Sequence, residues 1–288
     1  MTFERRLHTA TVLRSGKVLV TGGDAELSGF VYGRFDGSEL YDPLTDSWAT
    51  VPVAMAVTRQ EHTATLLDDS LGTVVIVGGT AVGGPATTSI YTPDAAWGTM
   101  ASAPAIGTPR SQHVAVLLPK TFPWSPSVVL IAGGKDNPQN PLASAERFTS
   151  SPQGWSSGGT MPAALRWTTA TWMGSVDKVL VFGGTSFADN GSPDRTAAYG
   201  TYLYTRSTNS WSLGTAAPPA QARHSHTATD LLLGSVQKVV IVGGNDSYLY
   251  QSSLLLFNPS GNRALLTYVW GKMTTEAGSV KGVLMAVG

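Results

Sequence analysis

The 288-residue chain has no cysteine, which excludes a disulfide frame, a thiolate metal site and a cysteine nucleophile. Charge is scarce as well, at 13% of residues against a usual ~25%. Lys+Arg and Asp+Glu number 19 each, so the formal net charge is zero. Such a chain lacks the electrostatic footprint of a protein devoted to nucleic acid, acidic membranes or other polyanions. No apolar run nears the ~20 residues that span a bilayer. No segment sustains an apolar period of 3.6, so helices are not expected. Met1-Thr2-Phe3-Glu4-Arg5 has no apolar leader core. Few lysines beside much Gly, Ser, Thr and Trp suit a secreted or cell-surface protein, whose leader would then have been removed.

What the chain does have is a repeat. Arg5-Arg6-Leu7-His8-Thr9-Ala10-Thr11 runs on to Gly22-Gly23 as two short strands bent at Ser15-Gly16. The pattern returns as Arg59-Gln60-Glu61-His62-Thr63-Ala64-Thr65 before Gly78-Gly79, and as Arg110-Ser111-Gln112-His113 before Gly133-Gly134. It returns again as Arg223-His224-Ser225-His226 before Gly243-Gly244. A looser copy has Arg166-Trp167-Thr168 before Gly183-Gly184. The central alanines stand at 10, 64, 115, 170 and 228, a period near 50 that points to propeller blades rather than a helical solenoid.

Each unit has a second half. A variable loop leads to a third strand at Glu39–Pro43, Ser89–Pro93, Glu146–Phe148, Tyr202–Tyr204 and Leu255–Pro259. Trp48, Trp97, Trp155 and Trp211 are then expected to begin a fourth. The aromatic-to-Trp gap is seven residues in three units and six in the Tyr91 to Trp97 unit.

The five Gly-Gly pairs, the aromatic ahead of each Trp and the Tyr41-Asp42-Pro43 turn make the chain resemble the kelch repeat over its whole length. The fold expected is an all-β, kelch-type β-propeller forming one domain over 1–288. Its blades would cover approximately 5–54, 55–105, 106–162, 163–218 and 219–273, with a partial sixth at 274–288. Trp270 lies unusually far from Phe257, and Thr275–Gly288 reads as a sixth inner hairpin without outer strands. Its strand at 283–287 would have an open edge, so a continuing chain or a partner strand is expected to cover it. Five blades plus a tail is the alternative.

In a four-stranded meander the 4→1 and 2→3 connections share one face. The resemblance implies that the first strands are innermost and that this face is the mouth of a central channel, where ligands bind. Candidate ligand groups are Arg6, Arg59, Arg110, Arg166, Trp167, Arg223, His224, Asp136 and Asp246. Arginine suits a carboxylate or phosphate because its planar fork binds bidentately; the alternative is that each one pairs with an acid or with loop carbonyls. Trp167 is placed either to stack on a sugar or peptide ring or to pack under a loop. On a regular strand His224 and His226 would share a face at roughly 7 Å. That suits a metal, although zinc or copper requires three or four ligands, and no cofactor is expected. The copper-radical branch of kelch proteins needs a Tyr-Cys crosslink that a cysteine-free chain cannot form. Phe30, Tyr32 and Phe35 supply aromatics in the longest 2→3 loop.

Together these features predict a non-catalytic binding propeller for an acidic peptide, a partner protein or a glycan, with no nucleic acid and no membrane span. A carbohydrate-active enzyme of the sugar mutarotase type is the alternative, with Asp136, Asp189 or Asp246 as acid or base.

Overall fold

The computed structural model describes residues 1–28, 31–80, 87–94, 97–136, 140–186, 198, 200–214, 222–233, 236–245 and 254–259. They form an all-β propeller, and its sheets follow the repeat. The first blade pairs β1 (Thr9–Val12), β2 (Val18–Thr21), β5 (Ser38–Asp42) and β6 (Ser47–Thr50) in that order. The second runs β7 (Thr63–Leu66), β8 (Val74–Val77), β9 (Thr88–Thr92), β10 (Thr99–Ala103). The third runs β11 (Val114–Leu118), β12 (Val128–Ala132), β13 (Ser144–Ser150), β14 (Gln153–Thr160). The fourth runs β15 (Thr169–Met173), β16 (Lys178–Phe182), β17 (Thr201–Thr205), β18 (Ser210–Leu213). The fifth contains β19 (Thr227–Leu233), β20 (Val236–Val242) and β21 (Leu254–Phe257). Among the described residues the one helical segment is a 3₁₀ turn at Gly174–Val176. The fourth strand expected at Trp270 and the sixth hairpin at 275–288 lie outside the described residues.

The chain divides into two compact units, one of Met1–Asn140 with Ser144–Gly158, the other of Pro141–Ala143 with Gly159–Gly288. In the first unit β1, β7 and β11 are neighbours, as are β15 and β19 in the second, which places the first strands side by side. The second strand β8 is apolar on both faces because its sheet is sandwiched between two neighbours. In β8, Val74 and Ile76 pack with Leu19 and Leu40 of the first blade, while Val75 and Val77 pack with Val129, Ile131 and Phe148 of the third. In the second unit, Leu180 and Phe182 meet Val239, Ile241 and Leu255. Period-2 alternation on a fully apolar strand therefore divides its side chains between two neighbouring blades.

Two sequence expectations are adjusted. Asp24–Ser38 is not an open loop: it contains a hairpin of β3 (Asp24–Ser28) and β4 (Val31–Arg34). Trp48 and Trp211 lie in fourth strands opposite Tyr41 and Tyr204. Trp97 lies ahead of β10, and Tyr91 faces Met100 instead. The turn that is one residue shorter puts Gly98, at φ +75°, against the Tyr91 ring, where a Cβ would lie 2.4 Å from it.

Candidate functional site

The lead-in to each first strand is built the same way. Its bridge residue pairs antiparallel with the residue after the Gly-Gly: Arg6 with Asp24, Gln60 with Thr80, Ser111 with Lys135, Arg166 with Thr185, His224 with Asn245. Lead-in and 2→3 loop therefore meet at one end of every blade. The next residue is always left-handed, at φ between 54° and 58° in Leu7, Glu61, Gln112, Trp167 and Ser225. A non-glycine residue in this region is strained, and it holds here because neighbouring copies lock it. The Glu61 N–H donates to the Leu7 carbonyl at 3.1 Å, and the Gln112 N–H to the Glu61 carbonyl at 3.1 Å. In the second unit the Ser225 N–H donates to the Trp167 carbonyl at 3.4 Å.

The repeated arginines lie beneath this layer. Arg59, Arg110, Arg166 and Arg223 are 0–2% exposed, and the Arg5 side chain is 1% exposed, whereas the sequence reading had placed such groups at an open rim. The physical reason is that the repeat supplies the Arg5, Arg59, Arg110 and Arg223 guanidinium groups with internal acceptors. Arg59 Nη1 donates to the Gly78 and Thr87 carbonyls at 3.0 and 2.6 Å. Arg110 Nη1 donates to the Gly133 and Ser144 carbonyls, and its Nη2 reaches Glu146 at 2.9 Å. Arg5 does the same with Gly22 and Gly37, and ion-pairs with Glu39 at 2.8 Å. Arg223 Nη1 donates to the Gly243 carbonyl at 3.1 Å. Burial lowers the Arg59 pKa to about 10, still fully protonated at neutral pH. Arg6 is the exception: its side chain is 59% exposed and it pairs with Asp24 at 2.9 Å.

The repeated histidines fasten blade to blade. His62 Nε2 lies 3.0 Å from Thr9 Oγ1 and 3.1 Å from Thr21 Oγ1, both in the preceding blade. His226 meets Thr169 at 2.8 Å in the same way. Burial, then the neighbouring arginine charge, pushes His62, His113 and His226 down to about 3, so all three are neutral. His224 and His226 do not share a face. The left-handed Ser225 between them breaks strand alternation, sending His226 to the edge of Phe182 and His224 to Trp167. Among the described residues no three His, Asp or Glu side chains come together as a metal site.

The structure does bring Arg166, Trp167 and His224 together. The Arg166 guanidinium sits 4.4 Å from the Trp167 ring centroid, and the Trp167 and His224 rings are 5.4 Å apart. Arg166 occupies the bridge position, and the buried Leu165 takes the slot that holds arginine elsewhere. Asp136, in the first unit, sits in a turn where its backbone N–H and carboxylate both bond Asn140. Asp246, Asp189 and Phe30 lie outside the described residues, as does the side chain of Tyr32; Phe35 packs on Phe3 at 5.9 Å and under Arg5.

Sequence reasoning missed the left-handed slot itself. In the first unit it carries a polar pair: Gln112 Nε2 donates to Glu61 Oε1 at 2.7 Å, and Thr80 donates to Glu61 Oε2 at 3.2 Å. The available signal was variation inside the repeat, because Leu, Glu, Gln, Trp and Ser succeed one another in a motif whose arginine and histidine recur in four of its five copies.

No protein-family model and no curated protein sequence matches the chain. Its fold is similar to that of a solved structure described as "Structure of YjhT", with a TM-score of 0.68 and 14% sequence identity over 92% of this chain and 84% of that one. At that identity the likeness concerns the propeller fold.

Proposed function

We propose that the chain is a kelch-type binding propeller whose ligand is an acidic peptide, a partner protein or a glycan, engaged at the left-handed slots of the lead-ins. The observation that supports this is the contrast within one motif. Arg5, Arg59, Arg110, Arg223 and three of the histidines have buried side chains bonded internally, while the left-handed position of the same motif carries five different side chains in one backbone conformation. A position strained in every blade yet unconstrained in residue type is suited to recognition rather than to stability. Trp167 beside His224 favours a ligand carrying a sugar or peptide ring, since an indole offers wide contact area at little entropic cost.

The test is a screen of a glycan array and an acidic-peptide library with the wild type, Trp167→Ala and Glu61→Ala. Loss of binding in either variant, with an unchanged melting temperature, supports the slot. Binding that survives both substitutions removes the slot from consideration. Accelerated interconversion of sugar anomers, followed by NMR, would replace the binding reading with the mutarotase one.

A further inference from the structure

Outside the lead-in face, the most exposed tryptophan among the described residues stands on the opposite end of the third blade. The connection from β11 to β12 runs Pro119-Lys120-Thr121-Phe122-Pro123-Trp124-Ser125-Pro126-Ser127. Phe122 and Trp124 are 51% and 81% exposed, and their rings stack with centroids 5.1 Å apart and planes only 4° from parallel. Each ring covers one face of the other, and both side chains remain largely open to water.

The loop that carries them is held. Prolines flank Trp124 on one side and Ser125 on the other, and each fixes one backbone torsion. The Ser125 N–H donates to the Phe122 carbonyl at 2.9 Å, closing the turn. Ser127 is fully buried, its N–H bonded to Ser150 and its hydroxyl to Asp68 of the second blade. Lys120 lies 4.0 Å from the same Asp68. The rings thus project from a base tied to two neighbouring strand connections, and little entropy remains to be lost when something stacks on them.

We propose that Phe122 and Trp124 form a stacking platform for the flat face of a neutral pyranose in a polysaccharide. This site is independent of the lead-in reading, from which it is separated by the length of β11. The electron-rich face of an indole attracts the polarised axial C–H groups of a sugar ring. The residues flanking the rings, Thr121 and Ser125, are hydroxylic, which suits the equatorial hydroxyls at the sugar's rim. Two arguments favour a sugar over a protein. A stable protein interface requires roughly 1,000 Å² or more of continuous surface, and this is a single ring pair on one loop. A net charge of zero also gives no steering toward a charged partner, while a neutral glycan needs none.

The experiment is native affinity electrophoresis of the whole chain in gels containing hydroxyethylcellulose, xylan or soluble chitin derivatives, paired with light scattering for oligomeric state. Wild-type protein is expected to be retarded by at least one of these. Trp124→Ala should lose about tenfold or more of that affinity, as expected for truncating a central aromatic anchor. Trp124→Phe should retain part of it, and Leu44→Ala, which truncates another exposed apolar side chain, should match wild type. Because Trp124 is 81% exposed, its removal is expected to leave the melting temperature unchanged, and this serves as the folding control. Absence of retardation in every gel, or retardation that Trp124→Ala leaves intact, overturns the proposal. So does a change of oligomeric state in Trp124→Ala without a change in retardation, which would assign the rings to a protein contact.

Discussion

Nε2 of His113 lies 2.9 Å from Oγ1 of Thr63, fifty residues upstream and one blade over. His62 and His226 repeat the contact, so the repeat's histidine acts as a polar pin driven from one sheet into the next. Hydrophobic faces alone would let neighbouring sheets slide; a buried hydrogen bond fixes their register because leaving it unmade is costly. His113→Ala should therefore destabilise the chain by about 2 kcal/mol or more, combining the orphaned hydroxyl with the cavity. His8→Ala, at a half-buried position, should cost less. Urea unfolding of both variants checks this ordering, and equal losses would show that the pin has no special role.

The same histidines predict how stability follows pH. Their folded pKa values, about 3, lie below the unfolded value near 6.5, so between those limits the unfolded chain binds more protons than the folded one. Stability is then complete above about pH 6.5 and falls as the pH drops toward 3. At pH 5 the loss is roughly 2 kcal/mol for each buried histidine. Glu39, held below its ordinary range by Thr2 and Arg5 against the opposing effect of burial, acts in the same direction at the acid end. Denaturant midpoints at pH 7.5, 6 and 5 measure the slope. Replacing His113 with Gln should flatten it, and an unchanged slope would mean that these groups do not titrate on unfolding.

Arg59 is expected to tolerate no replacement, lysine included. Its Nη1 serves two carbonyls while Nη2 reaches the hydroxyls of Thr87 and Ser89. A single ammonium cannot span those acceptors as a planar fork does. Arg59→Ala leaves them buried and unpaired, at a cost on the order of 3 kcal/mol, and Arg59→Lys should recover less than half of that. Melting temperatures of the two variants decide the matter. Because the loss is structural, ligand binding by the surviving folded fraction should be unaltered.

The strands were legible because the repeat states the same physics five times: β-branched alternation, a two-glycine stop and an aromatic wedge. The fate of the arginines was not. From the sequence, a cation at the start of an inner strand can face an opening or turn under the strand, and the choice depends on acceptors such as the Ser144 carbonyl, contributed from 34 residues away. The His224 and His226 pair failed for a local reason, since a left-handed Ser225 overrides alternation and serine gives no warning of it. Trp97 failed by one residue of turn length, which moved Gly98 onto Tyr91. Only the hydrogen bonds between blades show which groups of the motif are held internally.

The glycine pairs allow a sharper test of how closely the blades meet. At Gly78, with φ at +67°, an added Cβ would lie 2.4 Å from the Arg110 carbonyl oxygen and 2.7 Å from His113 Cε1 of the next blade. Gly16 has an equally left-handed backbone, φ +85°, but nothing lies within 4 Å. Alanine at either position carries the backbone strain of about 1–2 kcal/mol. Only at Gly78 must it also push a backbone carbonyl and a pinned imidazole aside, adding about 1–3 kcal/mol. The Gly79 N–H donates to that same Arg110 carbonyl at 2.9 Å, so moving the oxygen also loosens a bond between blades. Gly78→Ala should therefore lower the denaturation midpoint about twice as far as Gly16→Ala. If the two fall together, the glycine pair is kept for its dihedral alone and not for the approach of the neighbouring sheet.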